Sequence, residues 1–240
     1  MIIPGGAFRR LVYNFEGEDV AKWLNSMGIA AFVLECRLPS DEHDNAEDVP
    51  LIDAMRAMRV IRGRAQEFGI DEAKIGVMGF SAGGFMAALL STAYESDVYA
   101  DYKYKDEYDK LSARPDFAVC SYPVISIDDC IEAGKRYMSE EQVLKRISDS
   151  KAKILHKYNP DKLVRPDMPP VFICETDDDR TTLSENSVGF YMAARKAGVS
   201  AELHIFRTGG HGYGCGDDFA QTGEWKVLFT KWIKSIGIIS

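Results

Sequence analysis

A chain of 240 residues, 46% hydrophobic and 28% charged, is long enough to bury one sizeable core and fits a single domain over residues 1–240. Its formal net charge of −8 leaves no basic footprint, which argues against nucleic acid or an acidic membrane surface as partner, and no apolar run approaches the ~18 residues of a membrane span. The five cysteines, Cys36, Cys120, Cys130, Cys174 and Cys215, are odd in number and lack Cys-x-x-Cys spacing, which favours buried thiols in a reducing, cytoplasmic setting over a disulfide framework.

The first element is an apolar strand end, Met1-Ile2-Ile3, running into Pro4-Gly5-Gly6-Ala7-Phe8, a glycine-pair loop of the kind that offers free N–H groups to an oxyanion. Val20, Trp23, Leu24 and Met27 mark one helical face closed by Gly28, and Ile29 to Leu34 follows as a continuous apolar strand. Asp48 is placed as an N-cap with Pro50 near the helix start, and Leu51, Ile52, Met55, Met58 and Ile61 carry that helix to Gly69. A strand over Lys74 to Met78 leads into Gly79-Phe80-Ser81-Ala82-Gly83-Gly84 and then a helix from Phe85 to Ala93. Tyr94 to Lys110, dense in Tyr, Asp, Glu and Lys, reads as a solvated surface excursion, its alternative being a platform of tyrosines for stacking on a sugar. Strands at Phe117 to Ser121, Val171 to Cys174 and Ala201 to Phe206, with helices near 184–197 and 223–236, continue the rhythm. Residues 126–167, with an amphipathic stretch around Glu140 to Lys153, read either as a cap over the site or as a crossover helix with extra turns. Strand alternating with helix argues a parallel sheet covered on both faces.

The strongest chemical signal is the G-x-S-x-G turn between a strand and a helix. So sharp a reversal strains the serine backbone, and glycines two residues either side leave room for it. The Ser81 hydroxyl is thereby exposed at the C-terminal edge of the sheet, and the Ala82 N–H at the helix start points to where an oxyanion would form. A plain reading makes Ser81 a helix N-cap. Against it stands Gly209-Gly210-His211-Gly212, a loop beyond a strand from which a histidine can reach a serine at the same sheet edge. The remaining histidines, His43, His156 and His204, are read as packing or surface residues, and Cys215 is noted for its nearness to His211 in sequence.

These residues resemble the α/β-hydrolase superfamily, and within it the acetyl-xylan-esterase and feruloyl-esterase-like carbohydrate esterases related to dienelactone hydrolase and prolyl oligopeptidase. The resemblance runs through PGGAF (4–8), EGEDVAKWLNSMGIAAFVL (16–34), GFSAGG (79–84), LSARPDFAV (111–119), SYPVIS (121–126), ENS (185–187) and AELHIFRTGGHGYG (201–214), nearly the whole chain. It implies a Ser, Asp, His triad in that order, with Ser81 as nucleophile and His211 as general base. Relatives usually carry His-Thr-Ala-Asp-Asp where this chain has Glu175-Thr176-Asp177-Asp178-Asp179, and aligning on the threonine makes Asp178 the acid, with Asp179 its competitor. The backbone N–H groups of Ala82 and of Gly6 or Ala7 would form the oxyanion hole. The implied activity is hydrolysis of short-chain or aryl acyl esters on a small-molecule or oligosaccharide alcohol, with no cofactor and no metal, since adjacent carboxylates in one loop do not easily converge on an ion. A serine peptidase and a non-catalytic binding protein on the same fold are the alternatives. Relatives carry two strands and most of a third before the glycine loop, so the sheet is expected to lack its N-terminal strands and the recorded N-terminus to be incomplete, any signal peptide lying upstream.

Overall fold

The computed structural model describes residues 1–39, 43–136, 138–147, 153–216 and 222–239. Five parallel strands, β1 (Ile2–Ile3), β2 (Val77–Phe80), β3 (Ala118–Ser121), β4 (Val171–Thr176) and β5 (Ala201–Phe206), form one sheet in the order β1-β2-β3-β4-β5. The first four are buried at every position, which is why they read as unbroken apolar runs rather than alternating ones.

Helices cover both faces. On one side α2 (Val49–Gly63), α4 (Ala82–Ala93) and α8 (Ser184–Lys196) enclose Met55, Met58, Phe85, Leu89, Cys120, Ile173 and Phe190. On the other, α1 (Asp19–Ser26) and α9 (Glu224–Ser235) pack Val20, Leu24, Trp225, Phe229 and Trp232 against Met78, Phe80, Val119 and Phe172. The crossover from β3 to β4 contains α5 (Ile127–Lys135), α6 (Glu140–Ile147) and α7 (Lys153–Lys157), followed by a 3-10 turn, Pro160–Leu163. Residues 148–152 of the expected amphipathic stretch, and the side chain of Cys130, lie outside the described residues. The other four cysteines are buried, Cys215 among them. No helix among the described residues is long and apolar enough to cross a membrane.

Three local expectations are revised. The expected strand Ile29 to Leu34 runs beside β1 but is held by only two hydrogen bonds, Ile2 N–H to Phe32 O at 2.7 Å and Leu34 N–H to Ile2 O at 2.8 Å, because β1 has only two residues to offer a ladder. The helix expected to continue to Gly69 breaks at Arg64 and resumes as α3 (Ala65–Phe68), where Gly69 at φ 65° closes it. Asp48 does not cap α2; its carboxylate is taken by Lys157 Nζ and Tyr158 Oη from α7 and the residue after it. A two-donor tertiary contact has outcompeted the local cap.

The excursion from Tyr94 to Lys110 is fastened to α2 by two arginines. Arg59 stacks over Tyr99 at 4.2 Å, Arg56 pairs with Asp106 and Asp109, and the Tyr99 hydroxyl bonds Asp109. The phenol of Tyr99 and the guanidiniums beneath it are thus already engaged within the protein.

Candidate active site

Ser81 sits at the end of β2 with φ 53° and ψ −116°, a conformation that an L-residue enters only under constraint. The glycines on either side explain how the turn survives. A Cβ on Gly79 would lie 1.9 Å from Gly83 O, and one on Gly83 would lie 1.9 Å from Ile3 O. Chain reversal at this radius therefore brings β2, the start of α4 and the end of β1 into backbone contact that no side chain could share. The Ser81 side chain makes no capping bond to α4. Its Oγ instead lies 2.8 Å from His211 Nε2, so the N-cap reading does not hold.

His211 is carried by the loop after β5. That loop is fastened to the end of β4 by two bonds: Thr176 Oγ1 donates to Gly210 O at 2.9 Å, and Gly210 N–H donates to Asp178 Oδ1 at 2.8 Å. The other ring nitrogen, Nδ1, lies 2.7 Å from Asp179 Oδ2. The aspartate facing the histidine is thus Asp179, and the expectation of Asp178 is corrected. After β4 the backbone turns so that Asp179 N–H points back to Thr176 O at 3.4 Å, which swings the fourth residue inward and leaves Asp177 and Asp178 exposed. Asp178 serves the same loop from outside, holding Gly210 next to His211.

Asp179 is 1% exposed and saturated with donors. Oδ1 accepts the Thr181 and Thr182 N–H groups at 2.7 and 3.0 Å, and Oδ2 accepts Thr182 Oγ1 at 3.0 Å besides the imidazole. Burial by itself would raise its pKa; the His211 bond and charge and the two backbone donors outweigh that and hold the carboxyl below its ordinary value. It remains an anion suited to orienting an imidazole and stabilising its protonated form.

The glycine loop approaches from the other side. A Cβ on Gly5 would lie 3.0 Å from the Ser81 Cβ and 2.6 Å from Phe80 O, which places Pro4-Gly5-Gly6-Ala7 against the elbow. Gly6, Ala7 and Phe8 all have positive φ, at 131°, 55° and 56°, so the loop curls tightly beside the elbow. The Gly5 N–H is consumed by Glu16 Oε2 at 2.8 Å. Ala82 opens α4, and its N–H has no carbonyl one turn back within the helix to bond.

Three buried polar residues around this constellation were not singled out by sequence reasoning: Glu16, Tyr122 and Thr182. A fourth, Glu175, was noted only as a departure from relatives. It ends the apolar run of β4 and is completely buried. Ser187 Oγ and the Thr176 N–H donate to it, at 3.2 and 3.0 Å. Burial, reinforced by the Asp179 charge, pushes its pKa well above the usual carboxylate range, because a dry site beside another negative charge disfavours the ionised form. A sequence signal was available: a charged residue directly continuing the apolar run Val171-Phe172-Ile173-Cys174.

The consequence for pH runs in a definite direction. The folded protein retains a proton on Glu175 that the unfolded chain has released, so this contribution to stability is complete below the ordinary glutamate pKa and is lost as pH rises through the higher folded value. Glu175→Gln keeps the shape and cannot titrate. The difference in Tm, variant minus wild type, should therefore grow steadily from mildly acidic to alkaline pH; a difference independent of pH would mean that Glu175 is ionised in the fold.

Among the described residues no group of three or more His, Cys, Asp and Glu side chains is arranged to hold a metal ion. A parallel sheet whose strand–serine–helix elbow presents Ser81 to a histidine and a buried aspartate, contributed by loops at the same sheet edge, is the α/β-hydrolase fold. The BD-FAE family model matches residues 1–193, and the chain belongs to that family.

An acetylxylan esterase of Xylanibacter ruminicola is 31% identical over 236 residues, 98% of this chain and 45% of that protein. An endo-1,4-beta-xylanase B of Butyrivibrio fibrisolvens is 31% identical over 219 residues, 91% of this chain and 33% of its own length. The chain thus spans less than half of either relative. Among solved structures, an acetyl ester-xyloside bifunctional hydrolase from Caldicellulosiruptor lactoaceticus superposes with a TM-score of 0.80 at 38% identity, over all of this chain and 84% of that one. A carboxylesterase from Lactobacillus plantarum superposes with a TM-score of 0.79 at 23% identity, over all of this chain and 86% of that one, and speaks for the fold alone.

Proposed function

We propose that the protein is a serine carboxylic-ester hydrolase that removes short acyl groups, acetyl foremost, from xylan-type carbohydrates. The observation that carries this is the continuous relay from Ser81 Oγ to His211 Nε2 and from His211 Nδ1 to Asp179 Oδ2, at 2.8 and 2.7 Å, on a strained elbow beside the backbone donors of the glycine loop and the helix start. Hydrogen-bond reach between nucleophile and base, and between base and orienting acid, is what acyl transfer requires. The names borne by the acetylxylan esterase and the acetyl ester-xyloside hydrolase to which the chain is similar support the choice of acyl group and alcohol.

In this mechanism His211 takes the Ser81 proton as Oγ attacks the ester carbonyl, forming a tetrahedral intermediate whose oxyanion accepts from Ala82 N–H and from Gly6 or Ala7 N–H. Collapse expels the sugar alkoxide, which receives the proton from His211, and leaves an acetyl-Ser81 ester. Water, deprotonated by His211, then attacks that ester, and collapse breaks the bond to Ser81 Oγ, which regains the proton from His211 as acetate is released. Asp179 holds the imidazole in the tautomer with Nδ1 protonated and offsets its positive charge while both protons are present.

Acetate release from acetylated xylo-oligosaccharides, measured beside p-nitrophenyl acetate and a feruloylated arabinoxylan oligosaccharide, tests the reading. Saturable acetate release with a higher kcat/KM than ferulate release is expected. Turnover of the small aryl acetate alone would remove xylan from the proposal, and preferential ferulate release would replace the acyl group.

A further inference from the structure

Glu16 is 4% exposed, lies in a π-helical turn, Asn14–Glu18, packed against Gly5, and no hydrogen bond joins it directly to Ser81, His211 or Asp179. Its two oxygens are nevertheless both used. Oε2 accepts the Gly5 N–H at 2.8 Å and Oε1 accepts the Tyr122 hydroxyl at 2.8 Å. The same hydroxyl accepts the Gly214 N–H at 3.0 Å, three residues beyond His211, and Gly214 O in turn accepts the indole N–H of Trp225 at 3.1 Å.

Tyr122 follows β3 directly and is itself strained, at φ 37°. Its ring stands edge-on to the His211 imidazole with centroids 5.0 Å apart, and its backbone oxygen accepts Thr182 Oγ1 at 3.3 Å, the hydroxyl that also donates to Asp179. One residue therefore reaches the loops that carry the oxyanion donors, the base and the acid. A non-glycine residue in the left-handed region persists only where the surroundings over-determine it.

We propose that Glu16 and Tyr122 act as one positioning unit that sets the oxyanion loop against the histidine and acid loops for the transition state. This rests on the esterase reading above. Pure electrostatics would disfavour a carboxylate one residue from an oxyanion donor, so its placement is explained by geometry: Glu16 fixes the direction of the Gly5 peptide and, with it, those of Gly6 and Ala7. A side chain with two acceptor oxygens can satisfy both donors at once. Glutamine satisfies the Gly5 N–H only by turning its amide nitrogen to the Tyr122 oxygen, which leaves the Tyr122 proton without the acceptor it has in the wild type.

The test combines Glu16→Gln, Tyr122→Phe and the double variant, with kcat and KM on p-nitrophenyl acetate, the rate of Ser81 labelling by a fluorophosphonate, and Tm. Tyr122→Phe removes one hydroxyl and keeps the ring. Each single change is expected to lower kcat and the labelling rate on the order of 10- to 100-fold, with KM within about twofold, and the double variant to lose no more than the more damaged single variant. Additive losses, losses confined to KM, or wild-type labelling in both single variants would overturn the unit. So would loss of cooperative unfolding in both, which would make the bridge a requirement of the fold. A wild-type protein that fluorophosphonate does not label would instead remove the nucleophile reading on which the proposal stands.

Discussion

Ser81→Ala is expected to lower kcat for acetyl-ester hydrolysis by about 10⁶-fold and to abolish covalent labelling, with Tm little changed. The hydroxyl is the only group on the elbow that can form the acyl intermediate, and without it the oxyanion donors and binding contacts retain only a residual rate advantage over water. Alanine keeps the Cβ and with it the left-handed backbone of position 81, so the strain at φ 53° is common to both proteins and cancels in the comparison. Retention of more than a few per cent of activity would sink the assignment of Ser81 and move attention to a metal or a different nucleophile.

Asp179→Asn should cost roughly 10⁴-fold in kcat, because an amide nitrogen facing His211 favours the imidazole tautomer with the proton on the wrong nitrogen. Asp178→Asn is the matched control. An asparagine retains the oxygen that accepts the Gly210 N–H, so the histidine loop stays in place and kcat should change by less than about tenfold. A crippled Asp178→Asn beside a near-neutral Asp179→Asn would show that the turn after β4 directs the Asp178 carboxylate, and not that of Asp179, towards the imidazole. Equal and modest losses in both would argue that no aspartate orients the base.

The local pattern of residues was sufficient for the repeating strand–helix order and for the elbow. Apolar runs alternating with helical patterns pair as a largely buried parallel sheet, and a glycine–x–serine–x–glycine between a strand and a helix has few backbone solutions. Ser81 and His211 followed from that, since both lie at the C-terminal ends of strands that a parallel sheet must bring to one edge. The extended pairing of residues 29–34 and the capping role of Asp48 did not follow. The first depended on how much of β1 was available as a partner, and the second was decided by Lys157 and Tyr158, more than a hundred residues away.

Only the tertiary structure decided among the three adjacent aspartates, because the choice turns on one backbone reversal, Asp179 N–H to Thr176 O, and a rotation of one residue there exchanges an inward carboxylate for an outward one. It likewise showed that Glu16, Tyr122 and Glu175 are buried around Ser81, His211 and Asp179. Residues 16, 122 and 175 carry no mutual spacing that a linear pattern could reveal. Their relation exists only once burial removes water and obliges each polar group to find its partner across the sheet edge.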